Sequence, residues 1–217
     1  MSNVSIQQQA EVHAKAEHQH QHAANRSDNL KFATWLYLAS EVVIFAVLIA
    51  TFVLFRQHRP EVLQQFHDGI QEWPGIWLVS LNTFLLLSSS WAMVMGLRQI
   101  QLGNPSGLMR WIALTALLGA IFVALQYVEY TELSHQGITL YYNQDGGYTD
   151  FGMRFYAPTA FHGFHVIVGV IWALYIVLNA RRGKYTAANY AGIEVFGLYW
   201  HFVDVVWIVL FTVIYLI

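Results

Sequence analysis

The sequence predicts an all-α membrane protein, a bundle of five transmembrane helices. The 217 residues are 56% hydrophobic and only 11% charged, with a mean hydropathy of +0.41. That profile lies outside the soluble range. Five apolar stretches, at about 31–55, 75–97, 111–132, 155–180 and 193–217, reach spanning length, since about 20 residues at 1.5 Å each match a hydrocarbon core of about 30 Å. Nothing alternates with period two over ten-residue units, so a β-barrel gains no support. In lipid every backbone group must be satisfied internally, and the helix does this within one segment.

The elements follow in order. Residues 1–29 are a polar tail rich in Gln, Ala and His, read as flexible, with residues 30–217 forming the membrane domain. His13, His18, His20 and His22 in the tail have no spacing that fixes a metal geometry. The tail has no apolar core of a cleavable signal peptide. Helix 1 carries Glu41, about 15 Å beyond Lys31 and so near the bilayer midplane. Helix 2 carries Asn82, Thr83, Ser88, Ser89 and Ser90, small polar residues that suit close helix approach. Gly103, Asn104, Pro105 and Gly107 make the second loop a tight turn. Gln126, Glu129 and Glu132 fall toward the far end of helix 3, where charge is cheap and a solvated or loop-anchoring role is expected. The loop at about 133–154, with Gly137, Gly146 and Gly147, does not read as another span. Helix 4 is expected to open near Pro158 and presents His162 and His165 on one side. Trp35, Trp73, Trp111, Tyr185 and Tyr215 sit near span ends as interfacial anchors.

Helix 5 holds the most informative run, Tyr199-Trp200-His201-Phe202-Val203-Asp204-Val205-Val206-Trp207. An Asp near the bilayer centre costs roughly 2.5–3.5 kcal/mol on insertion scales. Trp200, Asp204 and Trp207 follow i, i+4, i+7 spacing on one face. A lipid-facing anchor would not carry that face; protein or water must receive it.

The Lys/Arg bias sets the expected topology. One side collects Lys15, Arg26, Lys31, Arg98, Arg110, Arg181, Arg182 and Lys184; the other holds Arg56, Arg59, Arg154, Asp145 and Asp150. The first side is read as cytoplasmic, which puts the N-terminus inside and the C-terminus outside. The net charge of −2 and the lack of a basic domain argue against a nucleic-acid partner. With no cysteine there are no disulfides, thiolate metal sites or iron–sulfur clusters. No internal repeat supports an inverted-repeat transporter.

A buried carboxylate near the midplane must pair or change its protonation. His165, entering from the opposite face, reaches a similar depth of about 10–14 Å. A Glu41–His165 hydrogen bond is therefore expected if helices 1 and 4 touch, with His201 as the rival partner. Metal or haem binding at His162 and His165 is disfavoured, because two histidines three apart on one helix do not supply converging ligands. They are read instead as hydrogen-bonded core residues. Two other readings of the same residues are a proton or ion relay through Glu41, His165, His201 and Asp204, and a haem-bearing reductase subunit.

The chain resembles subunit III of the haem–copper terminal oxidases, in its bacterial five-helix form. Ser40-Glu41-Val42 is similar to the family's buried Ser-Glu-Val, and Leu81-Asn82-Thr83 to its second-span motif. Leu118-Gly119, Gln126 and Glu129-Tyr130 resemble its third motif. Phe161-His162-Gly163-Phe164-His165-Val166-Ile167-Val168-Gly169 is similar to its His-Gly-x-His signature, and Tyr199–Trp207 is the most specific match. These cover about residues 31–217, excluding the loop near 56–74.

The resemblance implies a non-catalytic subunit without a redox centre or metal of its own. It implies haems and copper in partner subunits, direct packing on subunit I, and association with subunit II. It also implies bound phospholipid, support of proton uptake, protection against turnover inactivation, and residence in the bacterial cytoplasmic membrane. Membership of a larger respiratory supercomplex is a further expectation. The family's carbodiimide-reactive glutamate maps onto Glu41 and its paired histidine onto His165. A lipid-headgroup cation maps onto Arg181 or Arg182. The cytochrome c oxidase type is preferred, with a quinol oxidase as the alternative and a stand-alone transporter as the remote one. The family's longest members carry two further N-terminal helices and a V-shaped lipid cleft; the five-helix form lacks those helices.

Overall fold

In the computed structural model the described residues are 2–62, 64, 66, 75–135, 138 and 149–217. Side chains are described for 25, 28–62, 64, 66, 75–135, 138 and 151–217. Among these residues the chain is helical, without strands; an isolated bridge joins Thr186 and Asn189. The tail histidines, Trp73 and almost all of the loop 136–148 fall outside the described side chains.

The helices are α1 (Ser2–His58), α2 (Gly75–Gln101), α3 (Pro105–His135), α4 (Thr149–Arg181) and α5 (Ala191–Phe211), which ends in a π-helical turn over Thr212–Leu216. Five of their segments are long and apolar enough to cross a membrane: Asp28–His58, Gly75–Gln101, Pro105–His135, Phe151–Arg181 and Ala191–Leu216. The protein is a multi-pass membrane protein. Three of these segments run past their apolar stretch at both ends: Asp28–His58, Pro105–His135 and Phe151–Arg181.

Local chemistry sets two of the turns. Gly103 closes α2 at φ 75°, a left-handed position that glycine occupies without a Cβ penalty. Asn104 then caps α3: its Oδ1 accepts from the Gly107 N–H at 3.0 Å, and Pro105 takes the first helical position, where no N–H is needed. Gly183, at φ 69°, ends α4 in the same manner as Gly103 ends α2. Its N–H reaches the Ala180 carbonyl, and the next N–H, from Lys184, reaches Asn179.

The start of α4 differs from the expectation. The helix begins at Thr149, and Pro158 lies inside it. A buried proline removes one backbone donor. Here the surrounding polar groups are served by neighbours: Thr159 Oγ1 donates back to the Phe155 carbonyl at 2.7 Å, and Gln126 Nε2 of α3 donates to the Thr159 carbonyl at 3.2 Å. Membrane helices tolerate interior proline when adjacent helices supply such contacts.

Helix α5 packs against α1, α2 and α4, while α3 packs between α2 and α4. Helix α1 is peripheral, held by α4 and α5. Side-chain contacts fix the directions. Lys31 pairs with Glu194 at 2.8 Å, joining the starts of the first and last spans. Tyr215 reaches Glu129, joining the ends of α5 and α3. The core lies along α5, where Trp200, Trp207, Phe196 and Leu210 are fully enclosed.

Candidate functional site

Helix α5 presents its aromatic stripe to three helices. The Trp200 indole N–H donates to Ser89 Oγ at 3.0 Å, and the Trp207 N–H to Thr83 Oγ1 at 2.9 Å, both across to α2. Rising numbers on α5 meet falling numbers on α2, so the two helices are antiparallel. His201 Nδ1 lies 2.6 Å from Ser90 Oγ. The small polar residues of α2 therefore do more than permit close approach: they supply hydrogen-bonding partners for three side chains of the α5 run. Asp204 is buried, and its Oδ1 meets no partner among the described residues.

The Trp200 ring fits because two glycines leave room. A Cβ on Gly119 of α3 would lie 2.7 Å from Trp200 Cη2. A Cβ on Gly169 of α4 would collide with Cζ3 and lie 2.7 Å from Cε3. Small residues at helix interfaces allow this kind of approach in membranes. Both glycines stand in the sequence motifs, but their shared target could not be read from spacing.

The second constellation joins α1, α4 and α5. Glu41 Oε2 lies 3.3 Å from His165 Nε2, with both side chains buried. That is an ion-pair distance, and Oε2 falls short of hydrogen-bond geometry. His165 Nδ1 faces the Phe161 carbonyl at 2.9 Å. A carbonyl only accepts, so Nδ1 carries a hydrogen. Nε2 and the Glu41 carboxyl are then attractive when the pair holds one further proton, either on the imidazole or on the acid. Tyr37, one turn before Glu41, places its phenol beside the carboxyl. Tyr199 of α5 donates to the His165 carbonyl at 2.9 Å. Phe45 seals the pair, 5.4 Å from the His165 ring and 5.1 Å from Phe161.

His162 differs from the expectation. It is fully enclosed, and neither ring nitrogen has a hydrogen-bond partner among the described residues. Its ring stacks on Trp207 at 5.1 Å and meets Phe122 edge-on at 5.8 Å. The aromatic slot takes the place of a polar partner. His201 turns to α2 rather than to Glu41. Among the described residues, no three His, Asp or Glu side chains converge as metal ligands. The pair His162 and His165 does not fit an iron: one ring is sealed between aromatic groups and the other faces Glu41.

Two residues expected at the interface are in the interior. Glu129 is buried, and Tyr215 donates to its Oε1 at 2.6 Å. The three polar residues of this end of α3 differ: Gln126 is buried against Tyr130 and Thr159, while Glu132 is exposed. The helices continue past the apolar run, so the end of α3 is shielded by α4 and the C-terminal turn. Arg181 and Arg182 are exposed at the end of α4. Between α1 and α5 runs an apolar groove of about 530 Å³, lined mainly by Trp35, Leu38, Val42, Leu198 and Phe202.

A family model described as cytochrome c oxidase subunit III matches residues 1–217. The chain belongs to the cytochrome c oxidase subunit III family. It is 35% identical over 186 residues to a cytochrome c oxidase subunit 3 of Synechocystis, covering 85% of this chain and 74% of that one. It is 32% identical over 203 residues to the cytochrome c oxidase subunit 3 of Thermostichus vulcanus, covering 90% of each. It is also 35% identical over 183 residues to a quinol oxidase subunit 3 of Bacillus spizizenii, covering 84% of each. Both long motifs of the family resemblance, on α4 and α5, thus line the buried contacts just described.

Proposed function

We propose that this chain is the non-catalytic subunit III of a proton-pumping, oxygen-reducing terminal oxidase of the cytochrome c oxidase type. It lies in the bacterial cytoplasmic membrane, with its N-terminus inside and its C-terminus outside. It packs directly on the haem- and copper-bearing subunit I, associates with subunit II, holds lipid, and supports proton uptake. The observation that carries this reading is the subunit III match across the whole chain. The site geometry supports it: the buried polar side chains mostly serve as ties between helices. Glu41 and His165 join α1 to α4, and His201 joins α5 to α2. Arg181 and Arg182 are headgroup candidates, and the apolar groove beside α1 has room for an acyl chain. The quinol oxidase reading rests on the Bacillus relative, which is as similar in sequence as the Synechocystis one.

The test compares the assembled oxidase with and without this chain. Initial oxygen reduction should persist without it, while activity should decay sooner during sustained turnover. Immediate loss of oxygen reduction from an otherwise intact complex would contradict a non-catalytic role. An unchanged turnover lifetime would contradict the protective one.

A further inference from the structure

Two cavities lie against α5, of about 530 Å³ and 340 Å³. Trp35, Leu198 and His201 line both, so His201 stands where they meet. Leu38, Val42 and Phe202 complete the first, between α1 and α5. Met93, Val94 and Leu97 of α2 wall the second. Lys31 and Glu194 border the second cavity where their two spans begin. At 2.8 Å they neutralise each other and offer no net charge to a ligand. His201 follows Glu194 on α5 and lies about 10 Å deeper along the helix.

His201 turns one nitrogen away from these cavities. Its Nδ1 meets Ser90 Oγ at 2.6 Å, and among the described residues Nε2 has no hydrogen-bond partner. Ser90 also meets Asp204. A hydroxyl has one hydrogen. Given to the Asp204 carboxylate, it leaves Ser90 Oγ to accept from the His201 Nδ1–H. The neutral ring then presents Nε2 as a bare acceptor.

We propose that the paired cavities bind a neutral amphiphile carrying one hydroxyl or phenol donor, which His201 Nε2 accepts. Depth selects this class. A charged headgroup drawn about 10 Å inward would lose its hydration to an apolar wall, whereas a single hydroxyl needs only one acceptor. Trp35 and Phe202 add flat apolar faces on which a ring can rest. Ligand sites commonly enclose about 300–1,000 Å³ with apolar walls and a few placed polar groups, and both cavities fit that description. The proposal rests on the reading of the groove beside α1 as an acyl-chain site, and names the group that the chain carries.

The test uses the purified full chain, stripped of lipid in detergent and read by native mass spectrometry. The probes are para-dodecylphenol, para-dodecylanisole (the same body with its donor capped by a methyl) and dioleoyl phosphatidylglycerol. Wild type should bind the phenol about fivefold more tightly than the anisole. His201→Phe should bring that preference below about twofold. Its anisole binding should be unchanged and so reports an intact groove. If His201→Phe cannot be recovered, Ala39→Phe, on the exposed wall of the first cavity, should weaken both ring probes about fivefold or more. Excess phosphatidylglycerol should leave the phenol bound. The proposal is overturned if wild type binds phenol and anisole alike, or binds neither. It is also overturned if the preference survives in His201→Phe, if Ala39→Phe binds both as wild type does, or if phosphatidylglycerol displaces the phenol. None of these results bears on oxidase membership, which co-purification tests separately.

Discussion

Replacing Gly169 with alanine places a methyl group against the Trp200 indole. The new Cβ would collide with Cζ3, lie 2.7 Å from Cε3 and 3.2 Å from Tyr199 Cε1. Carbon atoms rest at about 3.5–4.0 Å, so the ring edge must retreat by roughly 0.8 Å to restore contact with Cε3. Gly119 already holds the next edge of the ring, where even a Cβ would be too close. A shift of this size is enough to stretch the 3.0 Å bond from Trp200 to Ser89 beyond hydrogen-bonding range. Overpacking costs about 1–3 kcal/mol, and a weakened interhelix hydrogen bond adds about 0.6 kcal/mol. The assay is reversible unfolding of the purified chain in mixed micelles, followed by circular dichroism and tryptophan fluorescence. Gly169→Ala should lose about 2–3 kcal/mol. Gly192→Ala, whose Cβ meets only Tyr185 at 3.8 Å or more, should stay within about 0.5 kcal/mol of wild type. In a double-mutant cycle with Trp200→Phe, the two losses should add to more than the double variant shows. If Gly169→Ala unfolds like the wild type, Trp200 does not close the bundle as described.

Glu41→Gln should preserve assembly and much of the oxygen-reducing activity, because the amide can donate to His165 Nε2. Abolished oxygen reduction by the assembled variant would sink the structural reading of Glu41. Asp204→Leu removes a buried carboxyl that meets Ser90 through one oxygen while its Oδ1 has no described partner, so the isolated chain should change in stability by no more than about 1 kcal/mol. Yet its retention in the purified oxidase should fall if a neighbouring subunit supplies the missing donor; unchanged retention would count against that. Tyr215→Phe leaves Glu129 enclosed without its 2.6 Å donor and should cost about 1–3 kcal/mol. Hydrogen exchange should quicken first in the turn Thr212–Leu216, and protection equal to wild type would argue against the tie.

The five spans were legible because each carries an apolar run too long for any other use. The α5 stripe was legible too: Trp200, Asp204 and Trp207 share a face by spacing alone, and that face is buried. Depth bookkeeping also placed Glu41 level with His165, since rise per residue is fixed in a helix. What spacing could not supply was rotation. It gave no means to tell that His201 turns to Ser90, or that His162 slides between Trp207 and Phe122. Pro158 misled because proline favours a first turn in water, whereas here Thr159 and Gln126 serve the backbone around it. Glu129 and Tyr215 misled for a related reason: nearness to a span end suggests exposure, but tertiary contact between α3 and the C-terminal turn encloses both. The glycines of the Trp200 slot stood in plain view, although only the packed helices reveal that they share one indole.

The central claim is that this chain works inside a terminal oxidase rather than alone. The most direct measurement is purification of the tagged chain from its native membrane in mild detergent, with identification of its companions and a reduced-minus-oxidised spectrum. Large haem-bearing subunits should co-purify, and the haem signal should vanish when the chain is separated from them. A chain that emerges alone and colourless, or alone and coloured, would contradict the account.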